Sequence, residues 1–247
     1  TISKYFNDPD SVRKSTRERI EKALEQYDYR PNFYAMNQNR RLTKNVGIVI
    51  PYMADPFFAE IARNIENHVI EAGFRPIVLG SHGDPEQEIE NLNNLRLIKP
   101  AGVLLAPLGR FSDPDRIAAF CKEVPTVLFD ANIENVGEAF IGSDNDQSIG
   151  LVVDYLCRTG QPPAFFEMRI PTNPNAIKRR TAYIKSMNRL GHEPKLLQAE
   201  GHGWDFEEIG FREGSRIITE RTLPTDTILC SNDRLAIGLL SAAYQLG

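Results

Sequence analysis

The chain has 247 residues, enough for one or two domains with hydrophobic cores of their own. Hydrophobic residues make up 41% of it and charged residues 25%, an ordinary balance for a soluble globular protein. No apolar run approaches the roughly 18 residues of a membrane span, and no signal peptide opens the sequence, so we expect a cytoplasmic protein without a membrane partner. The cysteines Cys121, Cys157 and Cys230 are odd in number and far apart, which argues against a disulfide framework.

The charges are distributed unevenly along the chain. The net charge is −4, but residues 1–44 hold ten Lys and Arg against six Asp and Glu, a net charge of +4. The remainder holds nineteen against twenty-seven, a net charge of −8. A basic N-terminal piece on an acidic body predicts contact with a polyanion at one end of the molecule only.

The N-terminal piece has the pattern of a small helical unit. Residues 1–6 are predicted to be helical, and residues 7–10 form a turn. The sequence Ser-Thr-Arg-Glu at 15–18 has the pattern of a capping box and predicts a second helix that starts near Thr16. That helix ends before Pro31, and its one apolar face consists of Ile20, Ala23, Leu24 and Tyr27. Two short helices bury little surface, so this unit needs a further packing partner.

The segment 32–46 joins this unit to the rest of the chain. It is polar, carries Arg40, Arg41 and Lys44, and contains no acid. Since it lacks a strong apolar stripe, it is a marginal helix or a linker when alone. One interpretation is a solvated interdomain linker; the other is a segment that orders only when DNA and the right body conformation are both present. We favour the second because of the basic helical unit before it.

Strand and helix patterns alternate from residue 46 onward. The predicted strands are 46–51, 76–81, 102–107, 125–130, 139–144, 164–168, 195–200 and 227–231. The predicted helices are 55–72, 84–98, one from 113, 145–158, 175–190, 205–221 and 232–246. Three of them open with an Asp-Pro pair, as cap and first helical residue, and Gly73 ends the first. The alternation predicts an α/β fold with parallel sheets covered on both faces, whose ligands bind at the carboxyl ends of the strands.

Sequence motifs of catalysis are missing from the chain. No Gly-x-Gly-x-x-Gly follows a strand, and no Walker loop, Cys-x-x-Cys or His-Glu-x-x-His is present, so neither cofactor nor metal is predicted. The sequence Gly-Ser-His-Gly at 80–83 lacks the spacing of a nucleophile elbow. The histidines share no metal-ligand spacing and are interpreted as surface or loop residues; they are His68, His82, His192 and His202. The cysteines are interpreted as small core residues.

Polar and aromatic side chains follow the predicted strands instead. They are Asp55, Phe57, Phe58, Ser81, Asp84, Asp130, Asp144, Asn173, Asn175, Arg179, Trp204, Asn232 and Asp233. Such a set is typical of carbohydrate sites, because rings cover the apolar face of a sugar while carboxylates and amides hold its hydroxyls. Plainer alternatives stay open: some of the aspartates can be helix caps, the phenylalanines core and the arginine a surface residue. The presence of the only tryptophan on the same rim favours the binding site.

Several stretches, in this order and spacing, resemble the lactose-repressor (LacI/GalR-type) family of transcription regulators along the whole chain. They are TISKYFN at 1–7, STRERI at 15–20, YRPN at 29–32, VGIVIP at 46–51, DPFFAE at 55–60, GVLLAP at 102–107 and SNDRLAIG at 231–238. The resemblance implies a helix-turn-helix head (1–31), a hinge helix or linker (32–45) and an effector domain (46–247). The effector domain would resemble periplasmic sugar-binding proteins, with subdomains at 46–143 and 144–247. It also implies homodimers or tetramers that bind a pseudo-palindromic operator, and a small cleft ligand that changes operator affinity.

The resemblance assigns roles by position. The implied DNA-binding residues are Thr1, Ser3 and Lys4 in the recognition helix, Asn7 at its end, and then Tyr29, Asn32, Met36 and Gln38. The implied effector-binding residues are Asp55, Phe58, Asp130, Asn175, Arg179, Trp204 and Asn232. Among these, Phe58 and Trp204 match the positions that sandwich the effector.

The chain departs from the family pattern at three places. The first helix and the start of the recognition helix are missing, and so is the C-terminal part of the second subdomain, so the sequence looks cut at both ends. At the hinge position where the family inserts a leucine into the minor groove, this chain has Gln38, which is poorly suited to unstack bases. Met36 is the nearby apolar candidate for that role.

Two other functions compete with a ligand-responsive repressor. A sugar-binding protein of periplasmic type would share the body but lack DNA binding, which the basic residues 1–44 argue against. A sugar hydrolase or kinase would need a nucleophile or a phosphate loop. The expected effector is a sugar or sugar derivative, with purine-type ligands as the family's other class.

Overall fold

The chain begins with a small helical unit. A computed structural model describes residues 2–7, 9–27, 43–171 and 173–247. The side chains of Ser3 and Asn7 are not described. Helix α1 spans Ile2–Asn7, a 3-10 turn spans Pro9–Ser11, and helix α2 spans Lys14–Gln26. The predicted polyanion-binding head is therefore helical over its described length. The predicted linker lies mostly outside the described residues.

The predicted capping box at the start of α2 is wrong. Arg13 is the N-cap residue and makes no side-chain cap bond, so Ser15 lies inside the helix. The carbonyl oxygen of Arg13 already accepts the backbone N–H groups of Thr16 and Arg17, at 2.9 and 3.0 Å. The first helical hydrogen bonds are therefore accepted by Arg13, before the Ser-x-x-Glu pattern begins. The pattern does not lie at the start of the helix, so its side chains do not act as a cap.

The first subdomain is built on a five-stranded parallel sheet. Its strands are β1 Asn45–Ile50, β2 Arg75–Gly80, β3 Gly102–Leu105, β4 Thr126–Phe129 and β5 Ala139–Ile141, in the order β2-β1-β3-β4-β5. Its helices are α3 Pro56–Glu71, α4 Pro85–Leu97 and α5 Pro114–Cys121, with a 3-10 turn at Gly109–Phe111. One buried cluster includes Val49, Leu105 and Phe120, and a second includes Ile48, Ile50 and Phe58, so apolar layers cover both faces of the sheet.

The second subdomain repeats this arrangement around a smaller sheet. Its strands are β6 Ala164–Met168, β7 Leu196–Ala199 and β8 Ile228–Cys230, parallel and in the order β7-β6-β8. Its helices are α6 Asn145–Thr159, α7 Pro174–Arg189, α8 Phe206–Thr219 and α9 Asp233–Leu246. Phe166 and Leu235 belong to one core cluster and Phe165 and Tyr183 to another, so this sheet too has two covered faces. The predicted α/β fold with parallel sheets is confirmed.

The C-terminal end of the predicted linker is hydrogen-bonded to the first subdomain. The Thr43 backbone N–H donates to the Lys99 carbonyl oxygen at 2.8 Å, and the Thr43 hydroxyl donates to the same oxygen at 3.0 Å. Thr43 is buried by these contacts. No helix in the described part of the chain is long and apolar enough to cross a membrane.

Candidate functional site

A cavity of about 660 Å³ is lined by Asp55, Phe57, Phe58 and Asp130 of the first subdomain and by a larger number of residues of the second. It extends from the carboxyl ends of the strands to Ile228 at the start of β8 and Leu156 in α6. The parallel sheets bring the residues that follow β1, β4, β6 and β8 to this one place, as expected for ligand sites in α/β folds. Six of the seven predicted effector residues line it: Asp55, Phe58, Asp130, Arg179, Trp204 and Asn232. Asn175, the seventh, is buried behind the wall.

Several polar residues of the site are also helix caps. The Asp55 side chain accepts the Phe57 N–H at 3.0 Å and caps α3, and the Asn232 side chain accepts the Leu235 N–H at 2.8 Å and caps α9. The helix-cap interpretation of these two residues is therefore confirmed, and both also line the cavity, because each helix starts soon after a strand that ends at the cleft. Asp84 and Asp144 cap α4 and α6 but do not line the cavity.

Asp130 is held in place by amide groups from the second subdomain. Its Oδ1 accepts a hydrogen bond from Asn175 Nδ2 at 2.8 Å, and its Oδ2 accepts one from Asn173 Nδ2 at 3.4 Å. Its backbone lies in the left-handed region with φ of 61°, which aspartate tolerates better than most residues. Burial raises the pKa of Asp130, and the hydrogen bond from Asn173 and the charge of Arg179 oppose that shift.

Behind this aspartate, a chain of hydrogen bonds continues into the second subdomain. Asn175 Oδ1 accepts from Asn145 Nδ2 at 3.2 Å, and Asn145 Oδ1 accepts from Arg179 Nε at 3.0 Å. The same guanidinium donates through Nη1 to the Ser231 carbonyl oxygen at 2.8 Å. Asn175 therefore acts as a positioning residue that connects Asp130 to Arg179. Sequence analysis did not identify Asn145, since it opens a helix like many asparagines.

An aromatic cluster closes one side of the cavity around Trp204. The Trp204 ring is parallel to Tyr52, with centroids 5.8 Å apart, and meets Phe58 and Phe206 edge to face at 6.0 and 5.8 Å. Phe58 is only 1% exposed. Because Phe58 and Trp204 are in direct contact, this conformation leaves no space between the two rings for the expected sandwich. A ligand here meets the cavity side of the cluster instead.

Arg234 connects the two subdomains and was not predicted. Its Nη1 donates to Asp55 Oδ2 at 3.1 Å and to the Trp204 carbonyl oxygen at 2.8 Å. The side chains of Arg234 and Asp55 are 18% and 8% exposed, so the ion pair is largely shielded from water. Its signals in the sequence were its place two residues after a strand-end asparagine and its inclusion in the family-like stretch at 231–238. An arginine at the start of a helix is often a solvated residue, so neither signal pointed to an ion pair.

The chemistry of the lining favours binding over nucleophilic catalysis. Cys230 lines the cavity, and burial raises the pKa of its thiol to about 12, so it is protonated at neutral pH and a weak nucleophile. Within residues 2–7, 9–27, 43–171 and 173–247, no group of three or more His, Cys, Asp or Glu side chains is placed to hold a metal ion.

The structure describes few of the predicted DNA-binding residues. Lys4 is exposed on α1. Ser3 and Asn7 belong to the backbone of the same helix, but their side chains are not described. The remaining predicted positions lie outside the described residues; they are Thr1, Tyr29, Asn32, Met36 and Gln38.

Two family models match the chain. Residues 43–247 match the periplasmic binding proteins and sugar binding domain of the LacI family. Residues 1–32 match the bacterial regulatory proteins of the lacI family. The two matches divide the chain close to the boundary between the helical head and β1.

Individual relatives agree with these models. The chain is 26% identical to the NTD biosynthesis operon regulator NtdR of Bacillus subtilis, over all of this chain and 74% of the relative. Its fold is similar to that of the Lac repressor bound to ONPG in the repressed state, with a TM-score of 0.81 and 22% identity over 100% of this chain and 74% of that one. The Lac repressor dimer bound to operator and the anti-inducer ONPF gives a TM-score of 0.82, again with 22% identity, over all of this chain and 73% of that one.

Proposed function

The chain belongs to the LacI family of bacterial regulatory proteins, and we propose that it is a transcriptional repressor whose affinity for operator DNA changes when a small molecule binds in its cleft. The observation that carries the proposal is the cavity between the subdomains, whose polar lining comes from both of them. A ligand that touches both walls binds one relative orientation of the subdomains better than another, which is the requirement for a ligand to shift a conformational equilibrium.

The proposed effector is a sugar or sugar derivative. Asp130, Arg179 and Asn232 would hold its hydroxyl groups, and Trp204 with Phe58 would cover its apolar face. Asn175 would orient Asp130 without touching the ligand, as its hydrogen bond to the Asp130 carboxylate suggests. Asp55 would be available to the ligand only when its ion pair with Arg234 opens. A purine-type ligand is the alternative, because the same rings and amides can bind a flat base.

The proposed operator contact uses the N-terminal unit. Residues 1–31 would be the DNA-binding head, 32–45 the hinge, 46–143 the first subdomain and 144–247 the second. The exposed Lys4 on α1 suits a base edge or a phosphate. The Lac repressor, which has a similar fold, is described as a dimer bound to operator. We propose that this protein also forms a homodimer or tetramer. The site of action would be the cytoplasm, and no reaction is assigned to the cleft.

A paired titration tests the proposal. Trp204 is the only tryptophan in the 247 residues, so the part of the fluorescence change that Trp204→Phe removes reports ligand binding at one place. Sugars, sugar phosphates and nucleobases are titrated into the full-length protein, and operator affinity is then measured by fluorescence anisotropy with and without the ligand that responds. We expect a saturable change with one class and a shift in operator affinity of about fivefold or more.

Two variants control this experiment. Arg179→Met is expected to abolish the fluorescence response, because Arg179 lines the cavity. Lys178→Met serves as the matched control, since the neighbouring Lys178 ammonium lies 5.8 Å from the Phe140 ring centroid and does not line the cavity. If a ligand binds but leaves operator affinity unchanged, the regulator assignment is wrong.

A further inference from the structure

Helix α4 runs from the cleft to the residues that lead into β1. Gly83 lies just before its start, and a Cβ added there would lie 3.6 Å from the indole Nε1 of Trp204 in the second subdomain. The carboxyl end of α4 lies where Thr43 enters the first subdomain. A helix rises about 1.5 Å per residue, so the ends of this 13-residue helix are roughly 20 Å apart. The second subdomain is therefore next to one end of α4, and the predicted linker ends at the other.

The cleft end of α4 holds a loop that the second subdomain approaches closely. The Glu88 side chain is buried in the first part of the helix, and its Oε1 accepts the Leu108 backbone N–H at 2.9 Å. Leu108 precedes Gly109, where an added Cβ would lie 2.5 Å from the Cδ of Pro174 in the second subdomain. A movement of Pro174 therefore displaces the loop, and the loop is bonded to α4 through Glu88.

The carboxyl end of α4 is bonded to the residues that lead into β1. A helix leaves its last carbonyl oxygens without partners in its own ladder. Here the Thr43 backbone N–H donates to the Lys99 carbonyl oxygen at 2.8 Å, and the Thr43 hydroxyl lies 3.1 Å from the Ile98 carbonyl oxygen. The Asn45 carbonyl oxygen accepts the Ala101 N–H at 2.7 Å. Because Thr43 and Asn45 are both buried, these bonds are shielded from water.

The middle of α4 is packed against the sheet along its length. Ile89, Leu92 and Leu95 belong to the buried cluster that also contains Val49 of β1. Helix and strand approach closely, since a Cβ added at Gly47 of β1 would lie 2.7 Å from Leu95 Cδ1. Because protein interiors are close-packed, a helix held in this way shifts as a unit instead of bending. A displacement at the cleft end of α4 therefore reaches its other end.

We propose that α4 carries a change of subdomain orientation from the cleft to the predicted linker, with Glu88 and Thr43 as its positioning residues. Neither residue lines the cavity of the candidate site, so each acts through other groups. Glu88 acts through the Leu108 N–H, and Thr43 acts through the carbonyl oxygens at the end of α4. This inference rests on the proposed function, because a path to the linker has a role only if operator affinity is the output.

Hydrogen exchange of the Thr43 amide tests this path without ligand or DNA. Exchange in the full-length protein is followed by mass spectrometry in peptides that isolate Thr43, and the buried Val103 amide of β3 is the reference for general unfolding. Glu88→Met removes the acceptor of the Leu108 N–H and should speed Thr43 exchange, relative to Val103, by about threefold or more. Glu88→Gln keeps an oxygen acceptor on a side chain of the same length, so its exchange should match that of the wild type.

Two further variants sharpen the test. Glu90→Met is the matched control, because Glu90 is exposed in the same helix, and it should leave Thr43 exchange unchanged. Pro174→Ala removes the ring that approaches the loop from the second subdomain and should also speed Thr43 exchange. Combined with Glu88→Met, it should have no further effect, because the bond between the loop and α4 is already lost.

Unchanged Thr43 exchange in Glu88→Met or in Pro174→Ala, or additive effects in the double variant, would overturn the path through α4. An equal effect of Glu90→Met would overturn it too. If Glu88→Met does not fold, Pro174→Ala decides alone, because it leaves α4 intact. None of these outcomes affects the regulator assignment, since neither effector nor operator enters the measurement, and that assignment fails separately in the paired titration.

Discussion

Two aspartates of the first subdomain reach across the cleft, and they do so in different ways. Asp130 accepts hydrogen bonds from two neutral amides, Asn173 and Asn175. Asp55 makes an ion pair with Arg234. The amide contact continues through further hydrogen bonds to Arg179, whereas the ion pair is a contact between two charged side chains that are 18% and 8% exposed.

This difference separates a fixed contact from a releasable one. Breaking a buried hydrogen-bond network leaves several polar groups without partners, which is costly. The net gain from forming an ion pair is smaller, because the attraction between its charges is offset by the loss of their hydration. We therefore expect the Asp130 side of the cleft to stay joined when the subdomains move, and the Asp55 side to open.

The largest effect is expected for Asn175→Ala. The substitution removes the partner of Asp130 Oδ1 and of the Asn145 amide at once, inside a buried site. The free energy of unfolding should fall by about 2–3 kcal/mol, the cost of leaving buried polar groups unpaired. Urea denaturation measures it, with the exposed Asn188→Ala in the same helix as the control. A loss no greater than that of the control would show that the network does not join the subdomains.

An intermediate effect is expected at the other end of the cleft. Asp55→Asn keeps an oxygen to cap α3 but removes the charge, and Arg234→Met removes the guanidinium. In a double-mutant cycle the coupling energy should be about 1–2 kcal/mol, and each single variant should weaken closure of the cleft. Unfolding free energies from urea denaturation supply the cycle, and small-angle scattering reports the opening. Additive single effects would mean that the pair contributes nothing beyond its separate contacts.

The smallest effect is expected for the contribution of Asp130 to the pH dependence of the free energy of unfolding. Burial raises the pKa of this carboxyl in the folded protein, so the native state binds its proton more tightly than the unfolded chain. Stability from this group is present below the ordinary aspartate pKa and is lost as the pH rises through the raised one. Asp130→Asn should therefore gain stability relative to the wild type as the pH increases over that window.

The measurement is a series of urea denaturations from acid to neutral pH. Burial also raises the pKa of Glu88 and Glu167, so both proteins share that background, and only the difference between them reports Asp130. A constant difference across the series would contradict the assignment. The same comparison at Asp55, with Asp55→Asn, shows whether pH distinguishes the two ends of the cleft.

Local sequence patterns predicted the ends of helices correctly where the sequence contains a capping residue or a helix-ending glycine. Asp55 and Asp113 cap their helices as expected, and Gly73 has the positive φ that ends α3. The prediction failed at Ser15, where a capping pattern lies within a helix that had already begun at Arg13. Sequence shows that a residue can cap, but the position of the first helical hydrogen bond depends on how the preceding turn is folded.

The candidate site also has parts that the sequence predicted and parts that it did not. Its residues were predictable where each follows a strand, because parallel sheets carry all strand ends to one edge. Asp55 and Arg234 are 179 residues apart, and no local period links them. The loop at Gly109 likewise lies close to Pro174 of the other subdomain, which is far away in the sequence. Neither could be derived from the order of the residues.

Local sequence patterns were enough to predict the alternation of strands and helices, most of the caps at the helix starts and the residue types at the strand ends. These depend on burial and hydrogen bonding within a few residues, which periodicity records. Three features became visible only in the folded chain: the strand orders β2-β1-β3-β4-β5 and β7-β6-β8, the contact between Phe58 and Trp204, and the Asp55–Arg234 pair. Each of these features joins segments that are far apart in the sequence, and local periodicity carries no information on which distant segments become neighbours.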